Sequence, residues 1–248
     1  MMAADTALVL VGHGSARHAD GSLPVLALAE EIRRRGLFAE VAAVFMKQEP
    51  SVAEAERLVS ARTVYVVPVF AGQGYYTDEL IPREMRLDGP TTCRDGRVFH
   101  YTPPAGTHAD IPDLLVRRAE MVADTAGMAP GRSALLLIAH GSKRPGGAGA
   151  TPKAITAAVS AMGRFAEVGL VFLEQDPPAR DWRRVVSAHD VVALPLLVAQ
   201  GTHASEDIPP LFKDATDRRV ALGTGLGGER ELVDVVLDLV ATAGLAGE

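Results

Sequence analysis

The sequence contains two copies of one pattern, and this duplication is its strongest constraint on the fold. His140 lies 127 positions after His13. The same spacing relates three further pairs, which are Pro195 to Pro68, Gly201 to Gly74 and Pro209 to Pro82. The first copy reads Leu-Val-Leu-Val-Gly-His-Gly-Ser and the second Leu-Leu-Leu-Ile-Ala-His-Gly-Ser. A repeat of this length predicts two similar domains, 1–128 and 129–248, joined near the helix-breaking segment Gly127–Ser133.

Apolar runs alternate with helical patterns in both copies. The predicted strands are 7–11, 41–45, 64–70 and 97–101, then 134–138, 168–173, 191–198 and 219–222. The predicted helices include 23–35, 52–60, 151–164 and 229–241. Strands that are apolar throughout are typical of parallel sheets covered on both faces, and strand–helix alternation indicates right-handed βαβ units. We therefore predict an α/β fold of two similar doubly wound domains. About five extra residues around Asp88–Gly96 of the first copy are predicted to form a surface loop.

Three polar side chains of the second copy are predicted at the ends of consecutive strands: His140, Glu174 and His203. Ligands of doubly wound sheets bind beyond the carboxyl ends of the strands. Two imidazoles and one carboxylate suit Co²⁺, Ni²⁺, Fe²⁺ or Zn²⁺ and leave a coordination position open. Each residue alone is also explained by a tight turn or a solvated charge, but their coincidence favours a metal site. The other histidines are expected at the surface, namely His18, His100, His108 and His189.

The first copy is an internal control for this hypothesis. Lys47 stands where the second copy has Glu174, and Tyr76 stands where it has His203. Lysine places a cation where a divalent metal needs an anion, and a phenol with an unperturbed pKa of about 10 is a poor ligand at neutral pH. We predict that the first copy does not hold a metal in the same way. Only His13 remains there, and both a structural turn and a substrate contact are open interpretations of it.

Weaker features indicate substrate contacts. Ser142, Lys143 and Arg144 lead toward a predicted helix N-terminus, where backbone N–H groups favour anions, although a solvated basic turn explains them equally well. Tyr75 and Tyr76 form a pair that suits stacking on a flat ring or half-buried packing.

Composition narrows the function classes. The net charge of −6 argues against non-specific nucleic-acid binding, which needs a positive surface. A single cysteine, Cys93, excludes an intramolecular disulfide and a Cys-rich metal site, and is consistent with a reducing compartment. The apolar run Ala7–Val11 is too short for a signal-peptide core or a membrane span. We expect a cytoplasmic protein without a membrane partner.

The motifs resemble a known family. They are the strand followed by His-Gly-Ser (140–142), Phe-Leu-Glu-Gln-Asp-Pro (172–177) and Gly-x-His-x-x-x-Asp-Ile-Pro (201–209). Together they are similar to the sirohydrochlorin cobaltochelatases of CbiX and CbiK type, and the resemblance covers essentially the whole chain. It implies the chelatase-type fold. A tandem chain of this kind resembles a fused dimer, so a monomer is expected.

The resemblance also implies an activity. The family inserts a divalent metal into a reduced tetrapyrrole without ATP or another nucleotide, so we expect an anionic tetrapyrrole substrate such as sirohydrochlorin. Co²⁺ is the first choice of metal, with Fe²⁺ or Ni²⁺ as alternatives, in cobalamin or siroheme-type biosynthesis. The family's metal-binding and catalytic residues would be His140, Glu174 and His203.

Two other functions are compatible with parts of the sequence. A non-catalytic protein that binds or delivers a metal or a metallo-tetrapyrrole would use the same ligands. A hydrolase would use the His-Gly-Ser turns, but Ser15 and Ser142 lack the Gly-x-Ser-x-Gly elbow, which disfavours it.

Overall fold

The computed structural model describes residues 5–15, 19–142, 149–196, 207–226 and 230–245, and it divides into two compact units. The first unit comprises Met1–His108 and Gly227–Glu248, and the second comprises Ala109–Leu226. This division differs from the repeat boundaries predicted from the sequence, 1–128 and 129–248. The reason is that the terminal helix of each repeat packs in the unit built on the other repeat's sheet.

The first unit is built on a five-stranded sheet. Its strands are β1 Thr6–Gly12, β2 Glu40–Phe45, β3 Thr63–Pro68, β4 Thr91–Arg94 and β5 Arg97–Tyr101. Their order is β2-β1-β3-β5-β4, and all neighbours are parallel except β4 and β5. The predicted parallel α/β fold is confirmed, with one antiparallel edge strand added to the first sheet.

The prediction of a surface loop around Asp88–Gly96 is wrong. The extra residues form β4, which pairs with β5 through a tight turn at Asp95 and Gly96. Both turn residues have positive φ, 51° and 73°, which is the conformation that Asp-Gly adopts in two-residue hairpins. The insertion is therefore a hairpin that extends the sheet.

Four helices cover the first sheet: α1 Leu23–Arg35, α2 Ala55–Leu58, α3 Ile81–Glu84 and α6 Arg230–Leu245, where α6 is the last helix of the chain. Helix α1 contacts β1 and β2, whereas α6 contacts β3 and β5. The interior strand β1 is buried along its whole length. Burial on both faces explains why its sequence is apolar throughout and does not alternate.

The second unit contains a four-stranded, fully parallel sheet. Its strands are β6 Ala134–Ala139, β7 Glu167–Phe172, β8 Asp190–Pro195 and β9 Arg219–Leu222, in the order β7-β6-β8-β9. Helix α4, Ile111–Thr125, contacts β8 and β9, and helix α5, Ala150–Ala161, contacts β7. Trp182 is fully buried on one face of this sheet, and its indole N–H donates to the carbonyl of Leu211 at 3.2 Å.

Each unit contains an equivalent polar contact at the matching place in its fold. Glu40 accepts hydrogen bonds from the backbone N–H and the hydroxyl of Ser60, both at 2.7 Å. Glu167 accepts the same two bonds from Ser187, both at 2.6 Å. These bonds, led by the one from the Ser187 hydroxyl, lower the pKa of Glu167. In each unit these hydrogen bonds connect the start of the second strand to the loop that precedes the third strand.

The histidines expected at the surface differ in their exposure. His100 is buried in β5, where its Nδ1 lies 3.2 Å from the Thr91 hydroxyl, so that expectation is wrong for this residue. His108 is half-buried, with a side chain that is 11% exposed, so it lies only partly at the surface. His189 is 68% exposed, as expected, and His18 lies outside the described residues.

Candidate metal centre

His140 and Glu174 lie at the same edge of the second sheet. His140 follows β6 directly, and Glu174 comes two residues after β7. The backbone pairing of the two strands continues past their ends, because Leu173 N donates to Ala139 O at 3.0 Å and Glu174 N donates to His140 O at 2.9 Å. The strand ends therefore hold the two side chains next to each other, although they are 34 residues apart in sequence.

The two side chains are separated by the distance that a shared ion would require. His140 Nε2 lies 3.7 Å from Glu174 Oε2, and the side chains are 40% and 39% exposed. Two ligands at about 2.1 Å from an ion in tetrahedral geometry are about 3.4 Å apart. The observed gap is too long for a good hydrogen bond but close to this value. The pair can hold one divalent ion while remaining accessible to a substrate.

A glycine fixes the position of His140. Gly141 has a φ of 77°, and a Cβ atom on it would lie 2.8 Å from the Gln175 Cβ. Only glycine combines this positive φ with so close an approach. The turn after β6 is thereby packed against the loop that carries Glu174.

The remaining predicted site residues of the second unit are only partly described. Ser142 is half-buried, two residues after His140. His203, Lys143 and Arg144 lie outside the described residues. Within the described ranges, no group of three or more His, Cys, Asp or Glu side chains is arranged to hold a metal ion. The structure therefore brings together two of the three predicted ligands, and the metal-binding role of all three stays a prediction.

The first unit has the same backbone and different side chains at the equivalent edge. His13 follows β1 directly, and Lys47 comes two residues after β2. Met46 N donates to Gly12 O at 3.1 Å, which repeats the bond between Leu173 and Ala139. The His13 Nδ1 donates to the Gly14 carbonyl at 3.0 Å, so Nε2 is the nitrogen left for other partners.

Aromatic rings surround His13. The Tyr76 ring lies 5.1 Å from the His13 ring, edge to face, and 6.0 Å from the Phe70 ring, stacked at 24°. Tyr75 makes an edge-to-face contact with Tyr76 at 5.9 Å. Lys47 Nζ lies 5.9 Å from the centre of the Tyr76 ring. The paired tyrosines are thus half-buried against neighbouring rings, as one of the two interpretations of the sequence expected.

Sequence reasoning missed the residues that hold Tyr76 in place. The Thr77 hydroxyl donates to Gly74 O at 3.0 Å and accepts from Gly74 N at 2.9 Å. The Tyr101 hydroxyl donates to Thr77 O at 2.7 Å. Burial raises the pKa of Tyr101, and the charge of Asp78 adds to the rise, so this hydroxyl stays protonated and keeps donating. The position of Tyr101 at the end of a strand is the one signal that could have indicated this role.

None of the described helices has the length and hydropathy needed to cross a membrane.

Comparisons with known proteins agree on one family. The family model described as CbiX matches residues 7–122 and again 134–243, once in each repeat. A probable sirohydrochlorin cobaltochelatase of Halobacterium salinarum is 33% identical over 276 residues, covering 96% of this chain and 91% of that protein.

Solved structures resemble the chain over the same extent. A multi-domain protein of Deinococcus radiodurans, described as structurally similar to chelatases, is 31% identical with a TM-score of 0.81. The match covers 96% of this chain, which spans 55% of the length of that protein. The sirohydrochlorin chelatase SirB of Bacillus subtilis, solved with cobalt, has a TM-score of 0.71 at 18% identity and supports the fold alone.

Proposed function

The chain belongs to the CbiX family and is a chelatase of that family, and we propose that it inserts a divalent metal into sirohydrochlorin or a closely related reduced tetrapyrrole. The family model matches both repeats, and the Halobacterium relative is matched over nearly its whole length. Co²⁺ is the proposed metal, with Fe²⁺ and Ni²⁺ as alternatives, because imidazole and carboxylate ligands suit all three. The product would enter cobalamin or siroheme-type biosynthesis.

The observation that carries the proposal is the spacing of His140 and Glu174. Their 3.7 Å separation at an accessible sheet edge suits a shared divalent ion. His203 is proposed as the third ligand, and three protein ligands leave a position at which a pyrrole nitrogen can reach the metal. The proposal requires neither ATP nor another nucleotide.

The proposed reaction exchanges one divalent metal ion for two protons of the ring. One M²⁺ ion leaves the protein ligands for the ring nitrogens, and two pyrrole N–H protons leave the ring. The lone pairs of His140 and Glu174 that bind the metal before transfer are released by the same step, so they can accept these protons. Proton acceptance by a positioned side chain typically contributes about 10²–10⁴ in rate.

The substrate is a polycarboxylate, and the chain carries a net charge of −6. Binding therefore needs local cations, because attraction by the protein as a whole is absent. We propose Lys143 and Arg144 for this task in the second repeat, with Ser142 as a hydrogen-bond donor. The tandem repeat supports a monomer as the working form.

The experiment is a metallation assay followed by absorbance, with metal-free sirohydrochlorin in large excess over protein. Co²⁺, Fe²⁺ and Ni²⁺ are compared under anaerobic conditions, each with a protein-free control. Many turnovers per chain are expected with at least one metal. Metallation that stops at one equivalent per chain would instead identify a metal-delivery protein that is not a catalyst.

A further inference from the structure

The first unit presents a cation at the position where the second unit presents a carboxylate. Lys47 and Glu174 each come two residues after the second strand of their sheet, and each follows one matching backbone bond, Met46 N to Gly12 O or Leu173 N to Ala139 O. The backbone has kept the position of this side chain while its charge has reversed. A divalent ion at this place would be repelled by the ammonium group, so the position suits an anion.

The charge of Lys47 is available to a ligand. Lys47 is exposed, and no carboxylate of the described residues lies within ion-pair distance of its ammonium group. The contact that it makes is with the face of the Tyr76 ring, 5.9 Å from the ring centre. An ammonium group placed in this way can form a charge-assisted hydrogen bond with a carboxylate.

The rings beside Lys47 form a pre-organised aromatic surface. Tyr76 contacts His13 edge to face and stacks on Phe70, while all three rings remain at least partly exposed. The Tyr76 backbone is held by the buried Thr77, which bonds to Gly74 through its hydroxyl. A flat conjugated ligand that stacks here orders few additional side chains, which favours its binding.

We infer that a cluster of side chains in the first repeat binds a carboxylate-bearing flat ring, at the position equivalent to the proposed metal site of the second repeat. The members of this aromatic–lysine cluster are His13, Lys47, Phe70 and Tyr76. The ring's carboxylate pairs with Lys47, and its face lies against Tyr76. Since the tetrapyrrole combines both features, it is the ligand, and this identification rests on the proposed function. The first repeat is thus a metal-excluding substrate site.

The test measures binding of metal-free sirohydrochlorin to the full chain by absorbance titration at low and high salt. Lys47→Gln is expected to raise the dissociation constant about three- to fivefold at low salt and to reduce its salt dependence. Lys47→Arg keeps the charge and is expected to stay within about twofold. Tyr76→Leu, which removes the aromatic face, is expected to weaken binding about fivefold. Lys153→Gln, at an exposed lysine of α5, is the matched control and should bind as the wild type does.

Steady-state metallation supplies a second readout. Lys47→Gln is expected to raise KM while kcat is retained, because the metal site of the second repeat is intact in this variant. Wild-type affinity in Lys47→Gln would overturn the inference, and so would equal weakening in Lys47→Gln and Lys47→Arg, since charge would then not be the cause. The proposed function fails separately, through absence of turnover by the wild type, whereas the titration needs no metal.

Discussion

The two sheet edges that carry His13 and His140 differ in chemistry and agree in backbone. Both histidines directly follow the first strand of their sheet in chain order, and both precede a glycine with positive φ that packs against a matched glutamine, Gln48 or Gln175. Two residues after the neighbouring strand, one edge has Lys47 and the other Glu174. The shared backbone places side chains of different chemistry at equivalent positions.

This difference explains why the duplication need not give two metal sites. In the second unit, an imidazole and a carboxylate are 3.7 Å apart. In the first, an imidazole is packed against Tyr76, which also contacts a lysine. One repeat is free to change as long as its backbone contacts are retained, because the fold of each unit depends on those contacts.

The largest expected effect is the loss of metallation in His140→Ala. Removing a proposed ligand that also accepts protons should lower the rate about 10²- to 10⁴-fold, whereas His13→Ala should change KM only a few-fold. Initial rates of absorbance change measure both, and circular dichroism verifies that each variant is folded. Near-native rates in His140→Ala would refute the assignment, and equal losses in both variants would remove the distinction between the repeats.

The reverse change should create a metal site in the first unit. The double variant Lys47→Glu and Tyr76→His, made in a His140→Ala background, restores the residue types of the second repeat. Calorimetric titration with Co²⁺ is expected to show binding of about one ion per chain where the background alone shows none. If the double variant binds no metal, differences other than these two side chains separate the repeats.

The two glycines should behave alike in stability and differently in activity. A Cβ atom at Gly14 or Gly141 would lie 2.8 Å from the matched glutamine, and both φ angles are positive, 66° and 77°. Each Gly→Ala change should therefore cost about 1–3 kcal/mol of unfolding free energy, which denaturant melts can measure. Only Gly141→Ala should also lower kcat, since only Gly141 follows a proposed ligand. A fall in kcat for Gly14→Ala alone would contradict this assignment.

The smallest expected effect concerns pH. Burial lowers the pKa of His100, which stacks on Tyr65 in the first unit, whereas the matched position in the second is Leu222. The unfolded chain then binds a proton more readily than the folded one, so stability falls as the pH drops below about 6.5, by at most about 1.4 kcal/mol per pH unit.

Denaturant melts at pH 7.5 and 5.5 test this expectation against His100→Leu, in which the loss on acidification should be smaller. His189→Gln, at an exposed histidine, is the control and should respond to pH as the wild type does. An unchanged acid response in His100→Leu would show that other groups cause it.

Local pattern was sufficient to predict most elements. The bounds predicted for Leu23–Arg35, Arg97–Tyr101 and Arg219–Leu222 are those of α1, β5 and β9. Apolar runs bounded by turn residues leave few alternatives there. The third strand of the first repeat ends at Pro68, two residues earlier than predicted, although the apolar run continues through Phe70. The strand β4 was missed, although Asp95-Gly96 between the segments Thr91–Arg94 and Arg97–Tyr101 is a recognisable hairpin signal.

The choice of sheet by each terminal helix could not be predicted from the sequence. Helices α4 and α6 are both amphipathic, and an apolar face does not specify which of two similar sheets it covers. The proximity of His140 and Glu174 was easier to predict, because the ends of neighbouring strands bring them together regardless of how the helices pack. The rings around His13 were not, since Phe70 and Tyr76 meet only in three dimensions.

The position of α6 has a consequence for synthesis on the ribosome. The second unit is one continuous segment, Ala109–Leu226, and can fold as soon as that segment has emerged. The first unit must wait for residues 230–245, which cover β3 and β5. At translation speeds of about 5–20 residues per second, the apolar face of those strands stays uncovered for roughly 10–30 s. The second unit can therefore complete its folding before the first. Chaperones that shield apolar surface would act on the first unit.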